Sequence, residues 1–324
     1  MATPNLSEVI TSTLRYRAPE VADNVSKNTA LLLKLKKKGN ASPVGGGRTL
    51  VQPLEYAENG TFMYYSGLDL LDVSASDVLT AAEFDWKQAA VSVTISGLEG
   101  RVMNAGKEAI IDLLKTRVKN AEKTMINNIS TGVYSDGTGS GSKQIGGLQL
   151  LVADSPSTGT VGGINRATYS FWRNISADAT TDYGAAVTSA LIQSYMNRIY
   201  VQLVRGTDRP DLIVADNNYW RAYLESLQSI QRITSDEMGQ AGFQSLKYMD
   251  ADVVLDGGAG PGACPTNHMY FLNTDYLYFR PHKETNMIVL GERESVNQDA
   301  SVRILAWAGN LTISNCALQG VLKD

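Results

Sequence analysis

Apolar residues recur along residues 100–130 at steps of three, four or seven. Met103, Ile110, Leu114, Val118, Ala121, Met125 and Ile129 share one face of a 3.6-residue helix. Arg101, Glu108, Asp112, Lys115, Lys119, Glu122 and Lys123 gather on the other, so the pattern predicts a long, half-exposed helix. At about 1.5 Å per residue it would run roughly 40 to 45 Å, more than a compact domain needs. Gly106 weakens its first turns, and Gly132 with the Gly/Ser-rich stretch to Gly141 supplies its stop. A rod of this kind suggests an elongated subunit.

The pattern changes period on either side. Residues 49–66 are rich in Thr, Val, Tyr and Phe, and residues 81–96 alternate, with Val91, Val93 and Ile95 on one side; both predict strands. The connection 67–80 between them is acidic and too long for a tight turn, so the pair predicts a long hairpin reaching away from the body. An isolated two-stranded ribbon is unstable in water. No later segment offers it an obvious bed, which points to a neighbouring copy of the chain. Upstream, residues 1–48 read as an arm with short helical pieces at 6–14 and 29–38 and little core of its own.

Downstream, residues 145–174 read as turn, strand and turn, with Tyr169, Phe171 and Trp172 placed as a strand would place them. Residues 175–280 read as an α/β unit. It has helices at 183–204 and 217–233, the second capped near Asp216, a buried strand at 211–215, and strands at 247–255 and 269–280. The tail, with 289–291, 303–307 and 311–313, predicts strands that close a sheet beneath the long helix.

Composition narrows the class. The 324 residues are 43% hydrophobic and 19% charged, ordinary for globular protein and enough for a sizeable core. No stretch approaches the roughly 18 apolar residues of a membrane span and no leader pattern opens the chain, so a cytosolic origin is expected. Cys264 and Cys316 stand in dissimilar contexts and predict two free thiols. Asn-x-Ser/Thr triplets such as Asn59-Gly60-Thr61 are then chance matches.

The net charge of −4 conceals an asymmetry. Residues 1–48 hold eight basic side chains against three acids, whereas residues 49–86 hold seven acids and no Lys or Arg. Two opposite charge densities side by side invite pairing within or between chains. The candidate inter-subunit contacts are therefore Lys34, Lys36, Lys37, Lys38 and Arg48 on the basic side, and Glu55, Glu58, Asp69, Asp72 and Asp77 on the acidic side. The run of leucines and lysines at 31–38 also fits a nucleic-acid patch, but a solvated helix end with lysines at its negative pole is the plainer reading.

An Ile-Gly-Gly-Leu entry at 145–148, a Gly-Gly-Ile-Asn-Arg turn at 162–166 and a Phe-Trp-Arg-Asn exit at 171–174 follow the long helix. In that order of parts the chain resembles the major capsid proteins of tailed double-stranded-DNA bacteriophages, which share the Hong Kong 97 shell fold. The resemblance spans nearly the whole chain. It implies an α+β capsid fold: N-terminal arm 1–48, extended hairpin (E-loop) 49–96, peripheral (P) domain with spine helix 97–174, α/β axial (A) domain 175–280, and a return to the P domain 281–324. It also implies a shell of pentamers and hexamers enclosing DNA in a virion put together in host cytoplasm, with scaffolding and portal proteins as partners. Some such shells lock themselves by an isopeptide bond from an E-loop lysine. With no lysine between Thr49 and Trp86, this chain lacks the amine, so a shell without that crosslink is expected. Overall acidity, with a pI of about 5.4, fits a wall that grips DNA weakly and without specificity.

Two alternatives stand beside this. An encapsulin compartment would use the same fold around protein cargo. A soluble α/β enzyme would use the loop 257–263, where Gly258, Gly260 and Ala263 match G-x-G-x-x-A after a strand. Pro261 and Pro265 break the helix that such a fingerprint needs to hold pyrophosphate, so a plain loop is expected there. Neither a phosphate-binding G-x-x-x-x-G-K-S/T nor a G-x-S-x-G is present. His268 and His282 lack metal-type spacing, and Asp250, Asp252 and Asp256 flank a strand as solvated acids usually do. No catalytic site, cofactor or metal is expected.

Overall fold

In a computed structural model the described residues are 30–97, 113–227, 245–256, 264–294 and 299–324. The helical piece expected at 6–14, the first half of the long helix, the end of the helix expected to reach 233, and the glycine loop at 257–263 lie outside them. Helix α1 (Ala30–Lys37) leads into strands β1 (Leu50–Glu55), β2 (Leu79–Phe84) and β3 (Lys87–Ser96), then helix α2 (Leu113–Gly132). The two-residue strands β4 (Thr160–Val161) and β5 (Ile164–Asn165) follow, then β6 (Ile175–Asp178), α3 (Ile192–Leu203), β7 (Leu212–Ala215) and α4 (Asn217–Ser226). The chain closes with β8 (Ser245–Tyr248), β9 (Ala251–Leu255), β10 (His268–Leu272), β11 (Leu277–Pro281), β12 (Ile288–Glu294), β13 (Ala300–Ile313) and β14 (Gly320–Lys323).

Two larger sheets carry the fold. The six-stranded sheet runs β6-β14-β10-β7-β9-β8, with β6 parallel to β14 and β7 parallel to β9. Its central strands are buried on both faces, and the strand period of two divides them between two cores. Leu212, Val214, Val254, Tyr270 and Leu272 point into one; Ile213, Ala215, Val253, Met269 and Phe271 point into the other, under α3 and α4. The second sheet is built on the 14-residue β13, which pairs with β3 and β12 along its first part and with β11 along its last. Helix α2 lies beside β3, where Arg117 Nη1 donates to the Thr94 carbonyl at 2.9 Å.

Over its described length α2 keeps its predicted stripe. Ala121, Met125 and Ile129 are buried, while Lys119 and Glu122 face out. Its 20 residues span about 30 Å. The chain then turns back so tightly that the Leu148 N–H donates to Val133 O at 2.7 Å, and a Cβ on Gly147 would lie 2.3 Å from that oxygen. Close backbone approach, not positive φ, is what glycine supplies there.

Several expectations change. Residues 81–96 are two strands, not one: the chain breaks at Asp85–Trp86, so β2 pairs with β1 and β3 belongs to the β13 sheet. The root of the hairpin lies on its own chain, with Leu50, Leu54, Ala82 and Phe84 buried in the main core. The arm contributes more core than expected, because Leu31 and Leu35, four apart on α1, are fully buried. The helix expected at 183–204 begins at Ile192, and a short capped turn, Ala179–Tyr183, precedes it. The strand expected at 247–255 is a hairpin of β8 and β9 turning at Met249, whose φ is 50°. That expected at 269–280 splits into β10 and β11, in different sheets. Ser170–Trp172 form a 3-10 turn where a strand was expected. The tail closes both sheets, since β14 joins β6 and β10.

Candidate assembly surfaces

The hairpin is well tied at its base and bare at its tip. β1 and β2 pair from Leu50↔Phe84 to Glu55↔Leu79, and the Tyr56 N–H extends the ladder to Val78 O at 3.0 Å. Beyond them the loop is shaped by short-range acceptors. Asp69 takes the Ser66 N–H at 2.8 Å and Asn59 takes the Thr61 N–H at 3.0 Å. Asp72 takes the Ser74 N–H at 2.9 Å; that bond and the Ser74 hydroxyl hold its carboxyl below the usual carboxylate range. Around these turns Phe62, Tyr64, Tyr65, Leu68, Leu70, Leu71 and Val73 stand in solvent, with Tyr64 90%, Leu68 102%, Leu70 93% and Val73 91% exposed. Glu55, Glu58, Asp69, Asp72 and Asp77 are all exposed among them. Large apolar side chains left in water among acids on one loop are a feature that marks interaction sites.

The basic candidates divide. Lys34 Nζ lies 3.1 Å from Asp252 and 3.9 Å from Asp211; Lys38 Nζ lies 3.0 Å from Asp211 and 2.8 Å from Asp275. Asp211 also accepts the N–H and hydroxyl of Thr274, and Asn40 donates to the Thr274 carbonyl at 2.7 Å. These two lysines therefore tie α1 and the residue after it to one end of the six-stranded sheet of their own chain, and the solvated helix end expected there is replaced by an ion network buried at Lys34–Asp252 and open to solvent at Lys38–Asp275. Burial pulls the Lys38 ammonium down, but hydrogen bonds and charge from Asp275 and Asp211 outweigh it and its pKa lies above the ordinary value. Lys36, Lys37 and Arg48 remain on the surface. The partners of Lys34 and Lys38 are about 170 to 240 positions away, so no local signal announces them. Replacing Lys34 with Met would strand the Asp252 carboxylate, whose side chain is 7% exposed. We expect a loss of about 2 to 3 kcal/mol, read as a lower midpoint of urea unfolding.

The resemblance motifs form a buried polar knot beside this core. Arg166, 1% exposed, donates from Nε to the Trp172 carbonyl at 3.2 Å and from Nη1 to the Leu150 carbonyl at 3.1 Å. Its Nη2 donates to the Leu151 carbonyl and reaches the Cys316 thiol at 3.6 Å. Trp172 Nε1 donates to Val161 O at 2.9 Å, and Asn174 exchanges two hydrogen bonds with the backbone of Ala153. Both cysteines are buried and unpaired, as expected; burial pushes the Cys316 thiol up to about 11 despite the pull of Arg166.

The histidines and the strand acids also have places. His282 packs edge-on against Trp86 and accepts backbone N–H groups from Glu284 and Thr285. His268 presents Nδ1 to Thr266 O at 2.8 Å and Nε2 to Asp154 at 3.1 Å, an arrangement in which only the imidazolium donates to both. Burial lowers its pKa, but the Asp154 hydrogen bond, the Thr266 carbonyl and the charges of Asp154 and Asp216 raise it above the ordinary value. A raised folded pKa contributes stability fully below the unfolded value of 6.5, and that contribution fades as pH climbs through the folded value. The urea midpoint should thus fall between pH 6 and pH 8, and a His268→Gln chain should lose this part of the slope. Asp250 pairs with Arg209 at 2.8 Å, Asp252 with Lys34, and Asp256 accepts the Cys264 N–H at 2.7 Å; Asp252 and Asp256 are buried partners, not solvated acids. No cluster suited to a metal ion, and no helix long and apolar enough to cross a membrane, occurs among the described residues.

Comparison with known proteins gives one kind of match. No family model matches the sequence, and no curated protein does. Solved structures match over almost the whole chain. The capsid asymmetric unit of cyanophage A-1(L) superposes with a TM-score of 0.63 at 16% identity, covering 96% of this chain and 97% of that one. The capsid of a native GTA particle gives 0.62 at 11%, covering 100% and 99%. An encapsulin, SrpI of Synechococcus elongatus, gives a lower 0.54 at 8%, covering 98% and 95%. At these identities the likeness establishes the fold: this is a mixed α+β chain with the fold of capsid shell proteins.

Proposed function

We propose that the chain is the major capsid protein of a tailed bacteriophage, assembling into pentamers and hexamers and then an icosahedral shell around double-stranded DNA. The observation that carries this is the hairpin tip, an acidic finger studded with exposed aromatic and aliphatic side chains, on a chain whose fold is similar to that of a phage capsid subunit over 96% of its length. In this reading residues 49–84 are the E-loop, α2 the spine helix of the P domain and the six-stranded sheet the core of the A domain. The finger lies across an adjacent subunit, where burying its apolar residues stabilises the contact. The acids among them favour a neighbour's basic surface, to which Lys36, Lys37 and Arg48 contribute. The chain does no catalysis, meets DNA weakly, and works with scaffolding and portal proteins; without a lysine in the finger the shell stays free of isopeptide links.

Electron microscopy of the purified chain, with extraction of the contents, tests the reading. Closed particles holding DNA support it. Particles filled with protein cargo would move the chain to the encapsulin class, and a nucleotide-binding monomer would refute a shell role. Mature particles should run as single subunits on a denaturing gel.

A further inference from the structure

Beside the root of the hairpin lies an open groove of about 460 Å³. The ribbon side contributes Tyr56, Asp77 and Glu83; the β4–β5 turn and the segment after it contribute Gly162, Tyr169 and Phe171. The rings form a row, Tyr56 to Phe171 at 5.7 Å and Phe171 to Tyr169 at 6.0 Å, and Tyr169 is half exposed. The floor is fixed. The Glu83 N–H donates to Gly162 O at 2.9 Å, and a Cβ on Gly162 would lie 2.8 Å from that of Ala82. Glu83 accepts a 3.3 Å bond from the Thr49 hydroxyl, and neither it nor Asp77 meets a cation among the described residues.

Carboxylates next to exposed ring faces make a site for a guanidinium, which stacks on the ring while its N–H groups pair with the acids. The ribbon has no Lys or Arg to fill it. Residues 9–19, VITSTLRYRAP, place Arg15 and Arg17 on either side of Tyr16 with no acid in the stretch. From Pro19 to Ala30, where α1 begins, the chain can reach about 36 Å at ~3.3 Å per residue. Leu31 of α1 already shares a core with Leu54 and Phe84 of the ribbon. We propose that this groove is the docking site for residues 9–19 of the same chain, with an arginine held between Asp77 and Glu83 and over the Tyr169–Phe171 pair. The contact fastens the start of the chain to the root of its own finger.

The test uses the full-length chain at a concentration too low for assembly, so its outcome is independent of whether shells form. With Tyr16 replaced by p-benzoylphenylalanine, irradiation and peptide mapping should find the principal crosslinks in 77–83 or 162–171. Asp77→Lys with Glu83→Lys should cut their yield about ten-fold, the milder Asp77→Asn with Glu83→Gln should fall between, and adding Arg15→Glu and Arg17→Glu to the lysine pair should restore most of it. An unchanged thermal midpoint in each variant shows that the fold is intact. Crosslinks elsewhere, a yield indifferent to charge reversal, or crosslinks chiefly between isotope-labelled and unlabelled chains when the two are mixed would each overturn the proposal.

Discussion

A chain carrying Leu68→Ser, Leu70→Ser and Val73→Ser together is expected to fold normally and to fail to assemble. These side chains are 102%, 93% and 91% exposed, so folding leaves them in water and the substitutions should move the unfolding midpoint by less than about 0.5 kcal/mol. Assembly is different, because each such side chain is worth roughly 1.5 to 3 kcal/mol when fully buried. Losing three of them weakens each subunit contact by on the order of 5 kcal/mol or more, a factor of several thousand in association. Sedimentation velocity should show wild-type particles and a variant confined to small species. Particle yield equal to wild type would mean that the tip is not the contact.

The second large effect lies inside the subunit. Arg166→Met should destabilise the isolated chain by about 3 to 5 kcal/mol, measured by urea unfolding. Its guanidinium is buried, has no carboxylate partner among the described residues and serves three carbonyls, of Leu150, Leu151 and Trp172. Removing a buried charge returns some desolvation energy, but three acceptors are left unpaired at about 1 to 3 kcal/mol each. Arg166→Lys should recover little, since a single ammonium cannot follow the planar fork that reaches all three. A Met variant as stable as wild type would show that the knot is not what holds residues 150–172 together.

These two sites show what the sequence made legible. The stripe of Ala121, Met125 and Ile129, the Asp216 cap of α4, the Gly162-Gly163 turn and the bare acidic connection are local patterns and read directly. The motif residues Arg166, Trp172 and Asn174 carry the resemblance, but their common role as a buried hydrogen-bond knot comes from contacts 6 to 21 positions apart that no local pattern encodes. Pairing across long separations leaves no such local trace. Nothing near Asp85 says that alternation continuing to Ser96 changes sheets, because both strands share a period of two and only their partners differ. In the same way, Lys34 and Lys38 look like surface charge until Asp211, Asp252 and Asp275 arrive from about 170 to 240 residues away. The charge asymmetry between arm and hairpin is real, but part of the arm's charge is used within the chain.

In the proposed shell the finger's apolar surface is covered only by other copies of the chain. Amide hydrogen exchange over residues 59–77, compared between the unassembled chain and its assembled particles, tests this most directly. Exchange should be fast in the free subunit and strongly slowed in the particle. Equal exchange in both forms, or full protection already in the lone subunit, would contradict it.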